Sequence, residues 1–169
     1  MIVSVDTFKL HVNTSLNDQV LRDKLLALES LIRSYTNNNF QQRNMRTNIK
    51  PSSNGTLISA PWIKPGNTIQ ISQSQYNDGL YEVDNHGKIA TLYDEPKAVA
   101  TKVVYPLDVQ MGVINMLKWD IEKRDKVGIA SESISRHSVS YFNMDEANTK
   151  VGYPSALVSF LKPYIKARF

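Results

Sequence analysis

The first part of the chain carries apolar side chains at the spacing of an amphipathic helix. Alternating steps of four and three residues separate Leu21, Leu25, Leu28, Ile32 and Tyr35. This spacing places them on one helical face, so a long helix with one buried face is predicted over about residues 16–36. Ser15 and Asp18 resemble a capping box at its start. A short helical turn capped by Ser4 or Asp6 is predicted before it.

Between about Arg46 and Tyr105 the pattern changes to short alternating runs separated by turn residues, which is typical of antiparallel strands. The separators contain Gly and Asn, the residues that tight hairpins favour. Five strands are predicted, at residues 57–58, 68–72, 80–84, 88–93 and 99–105. They are too few for a two-sheet sandwich, so this stretch is interpreted as an inserted small antiparallel β-barrel of SH3-like type.

A second long helix is predicted from Pro106, because proline suits the first helical position, and Gly128 is its predicted C-cap. A polar, Ser-rich strand around Val139 is expected to follow as an edge or an arm. A short last helix is predicted after Gly152, with Pro163 limiting its extension.

Together these patterns predict an α+β protein. Residues 1–45 and 106–169 form a helical domain with a C-terminal arm, and residues 46–105 form the inserted β module. A chain of 169 residues is long enough to bury a core without metal or disulfide.

Composition narrows the function classes. The chain has no Cys, which removes disulfide frameworks, thiolate metal sites and cysteine nucleophiles, and an intracellular or virion context is expected. The formal net charge is only +4. Its main local excess lies in residues 151–169, which contain Lys162, Lys166 and Arg168 and no acid, too thin a stripe for a dedicated nucleic-acid surface. No apolar run has the length of a bilayer span, so no membrane association is expected.

The sequence offers little reaction chemistry. The three histidines, His11, His86 and His137, are far apart in the chain and form no metal-binding helical pair. Serine-hydrolase, P-loop and dinucleotide motifs are absent. The neighbouring acids at 94–95 and 145–146 are expected to point to opposite faces of extended segments. We therefore predict no enzyme activity, no catalytic residue, no cofactor and no metal. A hydrolase with an unrecognised site remains an alternative.

Four aromatic residues of the β module suggest a second alternative. They are Trp62, Tyr76, Tyr81 and Tyr93. In a barrel, such side chains either fill the core or form a stacking platform for single-stranded nucleic acid. A small nucleic-acid-binding β-barrel with a helical appendage is therefore the alternative function.

The overall arrangement resembles the head-tail connector, or adaptor, proteins of tailed bacteriophages of the Gram-positive type. The resembling segments are residues 3–12 with the helix 16–35, the helix from Pro106 through Arg124, and a C-terminal part containing residues 129–134, 138–141, 152–154 and 161–169. The β module departs from the family pattern, because it replaces what is usually a short loop.

This resemblance implies a non-enzymatic ring, typically twelve-fold, that docks under the portal, extends the DNA channel and receives a stopper or tail-completion protein. DNA would pass through it without sequence-specific binding. Assembly in the host cytoplasm and a final location in the neck of the virion are implied.

The predicted interaction residues lie in the C-terminal part, where aromatic and basic side chains occur together. They are Tyr153, Pro154, Tyr164, Lys166, Arg168 and Phe169. Desolvated Tyr and Arg are common interface hot spots, so these residues are expected to contact the portal or a neighbouring subunit, with the tail reaching the portal. In the alternative interpretation, residues 153–161 dock on the helical core and residues 162–169 fray as an ordinary terminus.

Overall fold

A computed structural model of the chain describes residues 1–91, 93–124, 131–134, 137–140 and 149–167. The described part is α+β, with four α-helices and an antiparallel sheet, which confirms the predicted class. Contacts within the chain divide it into two compact units. Unit 1 comprises Met1–Asn38 and Pro106–Phe169, and unit 2 comprises Asn39–Tyr105.

Unit 1 begins with two capped helices. Helix α1 spans Val5–His11, and the Ser4 hydroxyl accepts a hydrogen bond from the Thr7 amide at 3.1 Å. Helix α2 spans Asp18–Thr36 and is capped by Asn17, whose side chain accepts a hydrogen bond from the Gln19 amide at 2.7 Å. The predicted capping box at Ser15 is therefore wrong, because the side chain that satisfies the first free amides lies two residues later.

Helix α3 spans Leu107–Lys123 and follows Pro106. Residues buried in unit 1 come from all three helices and include Phe8, Leu21, Leu25, Ile32, Val109, Val113, Met116 and Leu117. A 3.3 Å ion pair between Lys24 and Asp120 joins α2 to α3. The predicted C-cap, Gly128, lies outside the described residues. No described helix has the length and apolar character needed to cross a bilayer.

The rest of unit 1 contains short elements. Strands β7 (Ser131–Ile134) and β8 (His137–Ser140) form an antiparallel hairpin, as do β9 (Thr149–Lys150) and β10 (Tyr153–Pro154). Helix α4 spans Ser155–Val158 and continues into a 3-10 helix, Ser159–Tyr164.

The described part of unit 2 contains six strands. They are β1 (Gln41–Ile49), β2 (Thr56–Leu57), β3 (Thr68–Ser72), β4 (Gly79–Glu82), β5 (Lys88–Ile89) and β6 (Ala98–Val103). Four form an antiparallel sheet in the order β1-β6-β3-β4, and β2 pairs with β5 separately. The core between them is rich in isoleucine and contains Ile49, Ile58, Ile69, Ile71, Val83, Ile89, Ala98 and Ala100.

The predicted SH3-like barrel is not confirmed, because the four-stranded sheet is open rather than closed. β1 and β4 each pair with one neighbour in that sheet, so they form its two edges. β2 and β5 have two residues each and pair with each other rather than with the four-stranded sheet.

The chain enters and leaves unit 2 at neighbouring points. The Val104 amide donates to the Phe40 carbonyl at 3.0 Å, and the rings of Phe40 and Tyr105 lie 5.0 Å apart between centroids. These contacts join the two ends of unit 2.

Candidate interaction surface

The C-terminal segment docks on α3 through a ring that lies over a glycine. A Cβ atom added to Gly112 would fall 2.2–2.5 Å from three atoms of the Phe160 ring. Leu161, the next residue, has no exposed surface, and Val158 is also buried. Glycine at position 112 therefore allows the 3-10 helix to approach α3 closely.

A side-chain hydrogen bond fixes the end of this 3-10 helix. The Tyr164 hydroxyl lies 2.8 Å from both carboxylate oxygens of Asp108, in the first turn of α3. This hydrogen bond raises the pKa of Tyr164 above its usual value, with smaller contributions from desolvation and from the negative charge of Asp108. The hydroxyl thus stays protonated and keeps donating at neutral pH.

The following residues are fixed by the C-terminal end of α2. The Lys166 amide donates to the Thr36 carbonyl at 2.8 Å. The Asn37 side-chain amide donates to the Ala167 carbonyl at 2.8 Å, and that of Asn38 donates to the Tyr164 carbonyl at 3.1 Å. The tail therefore makes hydrogen bonds through its backbone as far as Ala167.

The predicted interaction residues fall into three groups. Lys166 is exposed and Tyr164 is half-buried, so their side chains reach the surface of unit 1. Tyr153 and Pro154 are buried. Arg168 and Phe169 lie outside the described residues. The structure thus brings Tyr164 and Lys166 together on the tail and places Tyr153 and Pro154 in the strand β10.

Tyr153 belongs to a compact aromatic and charged cluster. Its ring lies 5.6 Å from that of Trp119, at an angle of 57°. The Arg124 guanidinium lies 4.6 Å from the Tyr153 ring centroid and 5.3 Å from that of Trp119, and its Nε pairs with Asp120. Two rings and one carboxylate therefore hold a single guanidinium, an arrangement that combines cation–π attraction with an ion pair.

Burial and nearby charges shift the pKa values of Tyr153 and Arg124 in this cluster. Burial raises the pKa of Tyr153, and the nearby Asp120 charge adds to this rise. Desolvation lowers the pKa of Arg124, but the hydrogen bond and charge of Asp120 outweigh it, so the pKa of Arg124 is raised overall. The cluster therefore carries a permanent cation and a neutral phenol.

Two open cavities lie on unit 1. One, of about 340 Å³, lies between α2 and α3 and has a mainly aliphatic floor of Ala27, Leu28, Leu31 and Leu117. The other, of about 430 Å³, is lined by Tyr35, Lys150, Ser155, Ala156, Val158, Ser159 and Lys162. Among the described residues, the lining of the second cavity contains two lysines and no acid.

The helices of unit 1 expose large apolar side chains. Leu10 on α1 is 85% exposed and Leu107 on α3 is 77% exposed. Val20 and Leu26 on α2 and Met111 on α3 are also exposed. Leu107 and Met111 are four residues apart on one helix, so they lie on the same face.

The four aromatic residues of the β module divide into two pairs with different positions. Trp62 and Tyr81 pack against the isoleucine-rich core of unit 2. Tyr76 and Tyr93 are 58% and 53% exposed, and their rings contact each other at 5.3 Å between centroids. Trp62 and Tyr81 are half-buried against the core, so the four aromatic residues do not share one exposed setting.

A polar network fixes the backbone beneath the exposed pair. The fully buried side chain of Asn77 donates to the Tyr93 carbonyl at 3.0 Å and accepts from its amide at 3.1 Å. The Glu95 carboxylate accepts hydrogen bonds from the Tyr76 amide at 2.8 Å and the Gln75 amide at 2.9 Å. Desolvation raises the pKa of Glu95, but hydrogen bonds from residues 74–77 outweigh it and lower it overall.

The histidines occupy separate places. The His11 Nδ1 lies 2.9 Å from the Thr7 carbonyl in α1, and the His86 Nδ1 lies 3.9 Å from Asp84 in a turn of unit 2. His137 lies in β8. Across the described ranges, no group of three or more His, Cys, Asp or Glu side chains is arranged to hold a metal ion.

Sequence reasoning missed three residues that shape this surface. No sequence pattern assigns an interaction role to Asp108, Gly112 or Arg124. A glycine inside an amphipathic helix is a usable signal, because it costs about 1 kcal/mol relative to alanine and so suggests a close contact. No local sequence pattern indicates that Asp108 contacts Tyr164 or that Arg124 contacts Tyr153.

Comparison with known proteins gives no assignment: no protein-family model matches the chain, and no curated protein matches it.

Proposed function

We propose that this chain is a structural, non-enzymatic head-tail connector of a tailed bacteriophage. Unit 1 is the connector-type helical bundle in this proposal. Copies of the chain form a ring, typically twelve-fold, under the portal and extend the DNA channel toward a stopper or tail-completion protein. The protein assembles in the host cytoplasm and resides in the neck of the virion.

The observation that carries the proposal is the set of large apolar side chains exposed on the helices of unit 1. Leu10 and Leu107 expose most of their surface, and Met111 extends the apolar face of α3. Leu107 and Met111 lie one turn apart on α3, and exposed apolar side chains that share a face mark interaction sites. A ring uses different faces of each subunit at its two sides, so apolar residues on separate helices fit heterologous contacts.

The docked tail supports a portal contact. Its backbone hydrogen bonds leave the Lys166 side chain exposed. We assign direct portal contact to Lys166, Arg168 and Phe169, and a positioning role to Tyr164 through Asp108. Tyr153 and Pro154 support the tail from within unit 1, because both are buried there.

The nucleic-acid alternative has less support in the residues described. It depended on four stacking aromatics, of which Trp62 and Tyr81 pack on the core. The exposed pair is next to Asp78, Asp94 and Glu95, whose charges repel phosphates.

Two truncations test the connector proposal. A chain ending at Ala167 removes Arg168 and Phe169 and keeps the backbone hydrogen bonds of residues 164–167. A chain ending at Lys162 also removes the Tyr164–Asp108 bond. We expect both variants to yield DNA-filled heads without tails in infected cells, whereas only the second loses protection of α3 against hydrogen exchange.

Labelling of the chain in particles provides the location. Antibody or gold label is expected at the head-tail junction in electron micrographs of complete virions. Normal yields of infectious tailed particles from the chain ending at Ala167 would refute the portal contact. Label away from the junction would refute the connector assignment as a whole.

A further inference from the structure

The exposed Tyr76–Tyr93 pair of unit 2 resembles, in its ring geometry, the Trp119–Tyr153 pair of unit 1, which contacts a guanidinium. The Trp119–Tyr153 pair has a centroid distance of 5.6 Å and an interplanar angle of 57°, and the Tyr76–Tyr93 pair has 5.3 Å and 52°. The first pair holds the Arg124 guanidinium, which also pairs with Asp120. Among the described residues, no cation is found over the second pair.

The charges next to the second pair are those that a guanidinium requires. Asp78 lies two residues after Tyr76 and accepts the Ser74 amide, and Asp94 directly follows Tyr93 and accepts the Ser53 amide. The Glu95 carboxylate accepts the Tyr76 amide. Residues 73–79 and 93–96 contain these three acids and no Lys or Arg. The negative charges of Asp78 and Glu95 also contribute, after burial, to the raised pKa of nearby Tyr81, so their field reaches an aromatic hydroxyl in this region.

The pair is also held in place before any ligand arrives. Asn77 fixes the Tyr93 backbone from a fully buried position, and the Gln75 side-chain amide donates to the Tyr76 hydroxyl at 2.7 Å. Rigid, exposed aromatic side chains lose little freedom on binding, which favours affinity. The other two aromatic side chains named above, Trp62 and Tyr81, instead pack on the core of the module.

We propose that Tyr76 and Tyr93, with Asp78, Asp94 and Glu95, form a docking surface for an exposed, arginine-bearing segment of a partner protein. The guanidinium lies over the two rings, and the nearby negative charges attract it without a direct ion pair of the kind that Asp120 makes with Arg124. A planar guanidinium fits this site better than an ammonium because it stacks on aromatic faces. Phosphate-bearing ligands are disfavoured by the acids. The inference does not rest on the connector proposal, so either can fail without the other.

The test is a titration of the isotope-labelled full chain with a capped Gly-Arg-Gly-Arg-Gly peptide, followed by NMR. We expect saturable shifts of the amides of residues 74–78 and 93–95. The corresponding lysine peptide should bind more weakly, and the corresponding glutamate peptide should not bind. Binding should weaken as salt increases, because exposed charges contribute to it.

Variants separate stacking from charge. Tyr76→Leu and Tyr93→Leu should each weaken binding of the arginine peptide by roughly three- to tenfold, whereas Tyr93→Phe keeps the ring and the affinity. Asp78→Asn keeps the acceptor oxygen for the Ser74 amide and should weaken binding about twofold at low salt. Leu57→Ala, an exposed apolar change in the same unit, is the matched control and should have no effect. Unchanged amide shifts for residues 68–72 verify that each variant is folded.

Three results would overturn the proposal. One is the absence of saturable shifts at up to about 10 mM peptide, a concentration that exposes even millimolar affinities. Another is equal affinity for the arginine and lysine peptides, or affinity that survives both leucine substitutions. The third is tighter binding of oligothymidylate or of a neutral oligosaccharide at the same amides, which would assign the surface to nucleic acid or glycan.

Discussion

Replacing Gly112 with alanine tests the contact that docks the C-terminal segment on α3. The added Cβ would lie 2.2 Å from the nearest Phe160 ring atom, whereas ordinary contact begins near 3.4 Å, so the ring must move by roughly 1 Å or more. Leu161 beside it is fully buried, which prevents an easy shift of the 3-10 helix.

Two opposing terms decide the sign of the effect. Alanine stabilises a helix interior by about 1 kcal/mol relative to glycine. Overpacking costs typically about 1–3 kcal/mol, and the severe overlap with Phe160 corresponds to the upper end, about 3 kcal/mol. Gly112→Ala is therefore expected to destabilise unit 1 by about 2 kcal/mol. In a Phe160→Ala background the clash is absent, so the same change should stabilise by about 1 kcal/mol.

Native-state hydrogen exchange measures both values in the full chain. Peptides covering residues 107–123 report the local free energy of opening of α3, and peptides covering residues 68–72 in unit 2 provide an internal control. Asn115→Ala, at an exposed position of the same helix, gives the propensity gain without a clash. If Gly112→Ala slows exchange of α3 in the wild-type background, or has the same effect in both backgrounds, the ring-on-glycine contact is refuted.

Three further predictions follow from the described contacts. Joining Asn38 to Pro106 through a short Gly/Ser linker should leave a folded unit 1 with its helical circular dichroism, because Phe40 and Val104 are hydrogen-bonded where the chain enters and leaves unit 2. Tyr164 has a raised pKa in the folded state, so its contribution to stability is present below its unfolded pKa of about 10 and is lost as pH rises through the folded value; Asp108→Asn should lower the pKa of Tyr164 in an ultraviolet titration. Glu95 has a lowered pKa, so its contribution is present above its unfolded value and is lost as pH falls through the folded one; Glu95→Gln should flatten the acid limb of the unfolding curve of unit 2.

Each of these predictions has a result that contradicts it. Loss of helical signal in the joined unit 1 would mean that unit 2 is needed for its folding. An unchanged tyrosine titration in Asp108→Asn would refute the hydrogen bond as the main cause of the shift. An acid limb with its original slope in Glu95→Gln would show that other carboxylates determine the acid sensitivity of unit 2.

Elements with a strong local pattern were predicted well. Strand β3 has the predicted bounds, 68–72, because its alternating apolar residues meet one buried core. Helix α2 was predicted within two residues at its start and ends at the predicted residue 36. In both cases the hydrophobic period alone carries the information.

Strand β1 could not be predicted from the spacing of apolar residues. Residues 41–49 are mostly polar and, apart from Ile49, are exposed or half-buried, so no alternation of apolar residues indicates a strand. The strand exists because β6 offers hydrogen-bonding partners from Ala98 to Val103, and its pairing is interrupted by an irregularity between Gln41 and Arg46. A non-local partner decides its structure. The open sheet has the same origin, since closure depends on strand pairing that propensity does not encode.

The candidate interaction residues illustrate the same limit. The composition of residues 151–169 marks the tail as an unusual segment, but the contacts that fix it join residues far apart in sequence. Tyr164 and Asp108 are 56 residues apart, and Asn37 and Ala167 are 130 residues apart. No spacing rule connects them, so the sequence predicted the composition of the tail and not its attachment.

That attachment changes how a tail contact would work. A tail that is mobile before assembly must lose conformational freedom on binding, at about 1–2 kcal/mol per ordered residue. Residues 164–167 instead make their backbone hydrogen bonds within the free chain, to the end of α2. Their ordering is already part of folding, while the Lys166 side chain stays exposed. A partner that binds this tail therefore meets a preorganised backbone. Asn37→Gly, which removes one anchor and keeps the left-handed backbone of that residue, should weaken the binding without touching the interface itself.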